Sequence, residues 1–481
     1  MSYPFRPQDE DLASWATATF GKARLGDARR TARLVRLATG ASQRPAGCIT
    51  EVFLTSAERQ GAYGLLEDEQ ITPAAVGGAA FTATVETIHQ RQLTRVDVAL
   101  DGSSLTLTDR RHTKQTGPVG NRRSKNRGFE VMTALAVSDA GEPLGLVDPH
   151  YWARPTQRPR KSHKARKTAE KETQHWLDAM DALDTRFQAL NRDAARPCRP
   201  RGLLDRGGDC RPVLLKADQL RARCDFIVRA AWNRRLNDPE AHYLWEQVER
   251  SALLCESALQ VPAGPKRTAR TATMQVRARK VSLRLRDKWN KTTTSAEFWA
   301  VHTREVGTTP VGETPVEWML LTTCEVRTAE EACEIVRAYG HRWRVEELHR
   351  AWKRGMCHVE DTQLRSGAAI QKWAIVLAVV AARAVQLAYR ARTEPNAPAT
   401  VALTQEQIDA TIVLRRPAGW GLGTQPPLHQ VVGWIAELGG YTGKSSGGPP
   451  GPTVLARGLR EVDTTVRALQ NLKDLQGKEE M

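Results

Sequence analysis

Cysteine is sparse and unpatterned in this chain: eight residues in 481, with no C-x-x-C pair and no histidine spacing that closes a zinc tetrahedron. Zinc ribbons and disulfide scaffolds are therefore excluded as organising principles, and reduced, structural thiols are expected. Long apolar runs are also missing. The longest, Trp373 to Ala382, stops at Arg383 and is too short to cross a bilayer, which needs about 20 residues. The opening stretch MSYPFRPQDEDLASW has no apolar secretion core, so a cytoplasmic protein without a membrane partner is expected. Acid is scarce relative to base, with 54 Asp and Glu against 71 Lys and Arg and a formal net charge of +17. Such a balance attracts polyanions, and release of their counterions drives binding, which makes nucleic acid the leading partner class. Ribosome-associated and membrane-surface proteins share that balance, so charge marks a partner and not a reaction.

What is present divides the chain into three parts. Residues 1–93 read as short helices, because LASWATATFG and TARLVRLATG repeat apolar residues at helical spacing. Their polar side carries Arg24, Arg29, Arg30, Arg33 and Arg36, either a solvated face or a DNA-contacting one. Residues 94–365 change to strand periodicity. TRVDVALDGSSLTLT, FEVMTALAVSD and EPLGLVDPHYW predict three neighbouring antiparallel strands, followed by a helix near 167–190 and the short strand RGLLD. A further strand, DFIVRAAW, completes an α/β layer. An insertion at about 235–310 alternates basic and apolar residues as an antiparallel β-subdomain with one basic face. The strand VEWMLLTTCEV and one long helix from about Thr328 to Gly355 resume the α/β pattern. Residues 366–481 are helical and are interrupted by the flexible connector GGYTGKSSGGPPGPT.

Two acids stand at strand ends in this pattern, Asp101 after VDVAL and Asp205 after RGLL. Strand-end acids commonly begin turns, but two hard oxygen ligands there plus one from a helix also suit Mg²⁺ or Mn²⁺. The helix YGHRWRVEELHRAWK supplies the third. At about 100° per residue, Arg342, Glu346, Arg350 and Lys353 all lie within roughly 60° of Tyr339 on one face. A core-packing stripe would be apolar, and a solvated face does not require Tyr339 and Trp343 among charges. An i,i+4 ladder of Arg342, Glu346 and Arg350 is the alternative explanation of the same spacing.

The spacing Tyr339, Arg342, Glu346, Lys353 resembles the YREK signature of the insertion-sequence DDE transposases. LLDRGGD and ALDGSSL resemble that family's segments around its second and first acids. ARLGDARRTARL, ERQGAYGLL and the tail around IAELGGY extend the similarity over nearly the whole chain. Two departures stand out: Gly64 where relatives carry arginine, and the strongly basic stretch 154–171, which is either an added phosphate-binding arm or a solvated loop.

The resemblance implies a ribonuclease-H-like catalytic domain at 94–365, a helical DNA-binding domain at 1–93 and a helical dimerisation domain at 366–481. Asp101, Asp205 and Glu346 would be its catalytic, metal-binding triad, holding two Mg²⁺ per active site, with Mn²⁺ as a substitute. Tyr339, Arg342, Lys353 and Arg350 would grip phosphates beside the cleaved bond. Trp318 would stack on a flipped base, although a core tryptophan fits the same sequence, and Arg229 would contact DNA. Arg29, Arg30 and Arg33 would contact the transposon end. The implied activity is cut-and-paste transposition: a homodimer pairs two ends, nicks, forms and resolves hairpins, and transfers strands into target DNA near the nucleoid. A metal-dependent nuclease without strand transfer and a domesticated DNA-binding protein that no longer cuts are the alternatives.

Overall fold

The computed structural model describes residues 12–479 apart from 111–112, 121–124, 157–165, 193, 195, 239–241, 262–266, 288–289 and 444–448. The middle of the basic stretch 154–171 lies outside the described residues. Five helices come first: α1 (Leu12–Phe20), α2 (Ala28–Gln43), α3 (Ile49–Val52), α4 (Ser56–Leu66) and α5 (Pro73–Gln90). Their starts are encoded locally. Asp27 caps α2, Thr55 and Glu58 form a reciprocal capping box on α4, and Thr72 caps α5 ahead of Pro73.

Ten strands then form one mixed sheet: β1 (Arg95–Leu107), β2 (Gly117–Pro118), β3 (Arg127–Val137), β4 (Pro143–Trp152), β5 (Arg199–Leu204), β6 (Asp225–Arg229), β7 (Cys255–Val261), β8 (Arg270–Arg286), β9 (Thr293–Val306) and β10 (Glu317–Thr322). The order is β2-β3-β1-β5-β6-β10-β9-β8-β7, with β4 on the other side of β3. The first three long strands are antiparallel neighbours, as their alternation predicts, whereas β5 and β6 run parallel to β1. Helices α6 (Thr173–Asn191), α7 (Arg211–Leu220) and α8 (Leu244–Glu249) follow β4, β5 and β6 in the chain.

The alternation within β1 separates two cores. Val96, Val98 and Leu100 face the cluster built with α6 and α7, while Asp97, Ala99 and Asp101 point to the opposite side. That side is covered by α9 (Ala329–His341), α10 (Trp343–Arg350) and α11 (Gly367–Thr393). The chain ends in α12 (Gln405–Arg415), α13 (Leu428–Leu438) and α14 (Pro452–Glu479), which share a third core. The N-terminal helices are tied to α11: Lys372 Nζ donates to the Asp68 carbonyl at 2.8 Å and Trp373 Nε1 to that of Gly47 at 2.8 Å.

Five expectations are revised. Asp101 lies within a strand, because pairing with β3 carries β1 on to Leu107. The long helix from 328 is not continuous: an i→i+3 bond from Arg342 N to Tyr339 O tightens the chain between α9 and α10, and residues 351–355 form a π-turn. The basic residues of the insertion do not share a face. Met274 and Val276 pack on different cores from Val281, Leu283 and Leu285, so strand alternation sets Arg277 and Arg279 opposite Lys280, Arg284 and Arg286. The cysteines are not all reduced, since Cys255 on β7 and Cys333 on α9 form a disulfide. Helix α11 is long and apolar enough to span a membrane, unlike the run read within it, but 78% of its most apolar window is buried inside the protein.

Candidate active site

The parallel pairing of β1 with β5 aligns Ala99 with Leu203 and Leu100 with Leu204. The next residue on each strand is an acid, so Asp101 and Asp205 sit side by side where the two strands part. Adjacent strands are about 5 Å apart, which is the scale of a shared cation site. After Asp205 the chain turns sharply. Its carboxylate accepts the Gly207 N–H at 2.7 Å, and a Cβ at Gly207 or Gly208 would lie 2.9 Å from Asp205 Oδ1 or from the Leu204 side chain. Asp209, at the other end of LLDRGGD, is structural. It is buried and accepts from Ala231 N, Trp232 N and Arg234 Nε.

Helices α9 and α10 cross the same side of the sheet and are anchored there. A capping box of Thr328 and Glu331 starts α9. Beneath it the buried Asp97 carboxylate accepts from Arg201 Nε at 2.6 Å and lies 2.8 Å from His341 Nδ1, while Arg201 also reaches Glu334 at 2.7 Å. This network joins β1, β5 and α9, and so fixes the helices over the acids.

Arg342 occupies the space between two of the carboxylates. Its Nη1 is 3.2 Å from Asp101 Oδ1 and its Nη2 is 2.5 Å from Glu346 Oε1. Half of the alternative i,i+4 ladder is thus present, but its arginine is shared with a strand acid 241 positions away. Burial pushes the Asp101 carboxyl up to about 7, with Arg342 opposing the rise and the Asp205 and Glu346 charges adding to it. A half-buried acid crowded by two others is a group that gains from a cation, and three hard oxygen donors fit a divalent one.

The other anticipated residues are distributed around this centre. Tyr339 is buried, with its hydroxyl raised by burial and its ring edge-to-face with Trp318 at 5.0 Å. Arg229, on β6, donates to the Glu317 carbonyl at 3.2 Å, and burial lowers its guanidinium, Tyr339 opposing and Arg206 and Arg342 reinforcing the effect. Lys353 lies in the π-turn, 3.6 Å from Glu360. Arg350 ends α10 exposed to solvent. In its place on the inner side stands His349, which the sequence pattern did not single out. It is buried, with Nε2 3.0 Å from Thr133 Oγ1 and Nδ1 3.6 Å from Asp101 Oδ2. Among the N-terminal helices, α2 exposes Arg29 and Arg33, whereas Arg30 is engaged by Asp68 at 3.0 Å and by Gln70 at 2.5 Å.

Comparison with protein families decides the class. Residues 12–71 match the family described as transposase DNA-binding, and residues 203–382 match the transposase DDE domain. The chain carries the DNA-binding and DDE domains of a DNA transposase. The enzyme cleaves and transesterifies DNA with divalent metal ions. Asp205 and Glu346 fall inside the matched DDE segment of this transposase, Asp101 precedes it, and Arg29, Arg30 and Arg33 fall inside the DNA-binding segment. Apart from Asp101, Asp205 and Glu346, its described residues also gather His150, His175 and Asp178, and Glu249, His302 and Glu317, each with donor atoms within 4.8 Å of one another.

Proposed function

We propose that this transposase is a cut-and-paste enzyme of the YREK insertion-sequence group, with Asp101, Asp205 and Glu346 as the metal-binding triad of a ribonuclease-H-like domain. The observation that carries this is the β1–β5 register, which sets Asp101 beside Asp205 on the side of the sheet where α10 presents Glu346. The antiparallel trio β4-β3-β1 followed by parallel β5 and β6 supports the ribonuclease-H-like assignment. A pair of Mg²⁺ ions, replaceable by Mn²⁺, would supply Lewis acidity for an in-line displacement by water or a 3′-hydroxyl.

The protein's own groups position the DNA. Arg342 would grip a phosphate together with Lys353 and the Tyr339 hydroxyl, and Arg350 would add charge at the rim. Arg229 holds the strand beside Tyr339. Trp318 stacks on a base turned out of the duplex as a hairpin forms at the transposon end. Arg29, Arg30 and Arg33 belong to the end-binding module at 1–93, the catalytic domain spans 94–365 with its β insertion at about 235–310, and residues 366–481, α14 above all, join two copies into the dimer that pairs transposon ends. The enzyme acts in the bacterial cytoplasm, at the nucleoid.

Glu346→Gln tests the triad: cleavage of a DNA carrying the element's ends should be abolished while end binding persists. Equal cleavage by the variant removes Glu346 from the site. A precut end with a free 3′-hydroxyl, Mg²⁺ and a target plasmid tests the transposition steps. Joined product is expected, and cleavage without joining would make the enzyme a nuclease.

A further inference from the structure

The β1–β3 ladder pairs Asp101 directly with Thr133, and alternation along β3 turns Thr133 to the side covered by α10. His349 of α10 fills the space between them. One ring nitrogen, Nε2, meets the Thr133 hydroxyl at 3.0 Å, and the other, Nδ1, faces Asp101 Oδ2 at 3.6 Å. The opposite carboxylate oxygen, Oδ1, is taken by Arg342. His349 and Thr133 are both buried, Thr133 at 3% and His349 at 8% exposure, so neither polar group is there for solvent. Trp352, one turn on and itself anchored by a 3.0 Å bond from Nε1 to the Ala374 carbonyl, flanks the imidazole at 6.3 Å.

We propose that His349, anchored by Thr133, is a positioning residue that fixes the rotamer of Asp101 and thereby which of its oxygens is offered to a divalent cation. Thr133 donates its hydroxyl proton to Nε2, which leaves the proton on Nδ1 directed at Asp101. A carboxylate oriented in this way keeps its rotamer on metal entry, and loss of such outer partners weakens metal binding by about 10- to 100-fold. The proposal rests on Asp101 being a metal ligand.

The test is Mn²⁺ affinity of the full-length protein without DNA, read by electron paramagnetic resonance, with thermal unfolding recorded in parallel. His349→Leu should weaken Mn²⁺ binding roughly tenfold. His349→Asn, which keeps an N–H near the Nδ1 position, should recover most of the loss. Unchanged affinity in His349→Leu overturns the proposal, and so does an equal loss in both variants. If His349→Leu does not fold, Thr133→Val is read instead: several-fold weaker binding supports the anchor, and parental affinity overturns it. Asp101→Asn separates the two levels of inference. Parental Mn²⁺ affinity in that variant would overturn the metal-site assignment itself, whereas its loss alongside an unaffected His349→Leu would overturn only the role of His349.

Discussion

Arg342 Nη1 lies 3.2 Å from Asp101 Oδ1. With Glu346 on its other nitrogen, the guanidinium neutralises carboxylates that burial would otherwise leave exposed to one another's charge. Removing one partner of a largely buried ion pair costs about 3–5 kcal/mol, because the remaining charge is stranded. Arg342→Ala should therefore lower the melting temperature in chelator at pH 8, and Mg²⁺ should raise it more in the variant than in the parent. Equal Mg²⁺ responses would mean that Arg342 and the cation do not answer the same charge.

Asp101 gives the metal-free protein a pH signature. Its carboxyl titrates near 7 when folded, against 3.8 ordinarily, so between these values the folded state holds a proton that the unfolded chain has lost. Stability from this group is full below pH 3.8 and declines as pH rises through 7. In chelator, thermal unfolding should shift downward between pH 5 and pH 8 more steeply in the parent than in Asp101→Asn, which cannot ionise. Parallel slopes would show that Asp101 is not held protonated. The groups facing it are Arg342, Glu346, Asp205 and His349, and burial holds His349 down to about 3, Lys353 and Arg342 adding to the effect, so that it stays neutral throughout this window.

How much of this was legible beforehand depended on distance along the chain. The antiparallel trio declares itself through alternating or apolar runs and β5 through a short apolar run, signals that involve only near neighbours, and capping signals such as Thr328 with Glu331 are equally local. The α9–α10 break was not legible, since it depends on Tyr339 packing against Trp318 and on Arg342 being drawn to Asp101. A straight-helix projection therefore put Arg350 inward, while the chain uses His349. A single histidine in a helix carries no mark of Thr133, 216 positions away. The split basic faces of β8 escaped for a related reason: a 17-residue strand outlasts one core and buries its opposite pleat against the next. The Asp101–Asp205 pairing needed the parallel register, which no local pattern specifies.

Trp318 stands edge-to-face on Tyr339 from the strand that enters the site, only partly covered. An ordinary core tryptophan would contribute to stability alone, whereas a base-stacking one also governs a specific step. Trp318→Ala should slow hairpin formation at the transposon end several-fold more than first-strand nicking, and Trp318→Phe should restore part of it. Equal slowing of both steps, tracking a lowered melting temperature, would return the residue to a packing role.

Among the arginines of α2, Arg29, Arg30 and Arg33 should not behave alike. Arg29 and Arg33 are exposed, so both guanidinium groups are open to phosphates. Arg30 is engaged by Asp68, Gln70 and the Leu25 carbonyl, so its charge is already answered within the protein. Each phosphate contact contributes about 0.9 to the salt slope of DNA binding. The double variant Arg29→Gln, Arg33→Gln should flatten the dependence of log affinity on log salt by about 2 while leaving the melting temperature nearly unchanged. Arg30→Gln should do the reverse, lowering the melting temperature and sparing the slope, because Asp68 sits on the loop that Lys372 ties to α11. A loss of slope in Arg30→Gln would mean that DNA displaces Asp68 from the arginine, turning an internal ion pair into a phosphate contact.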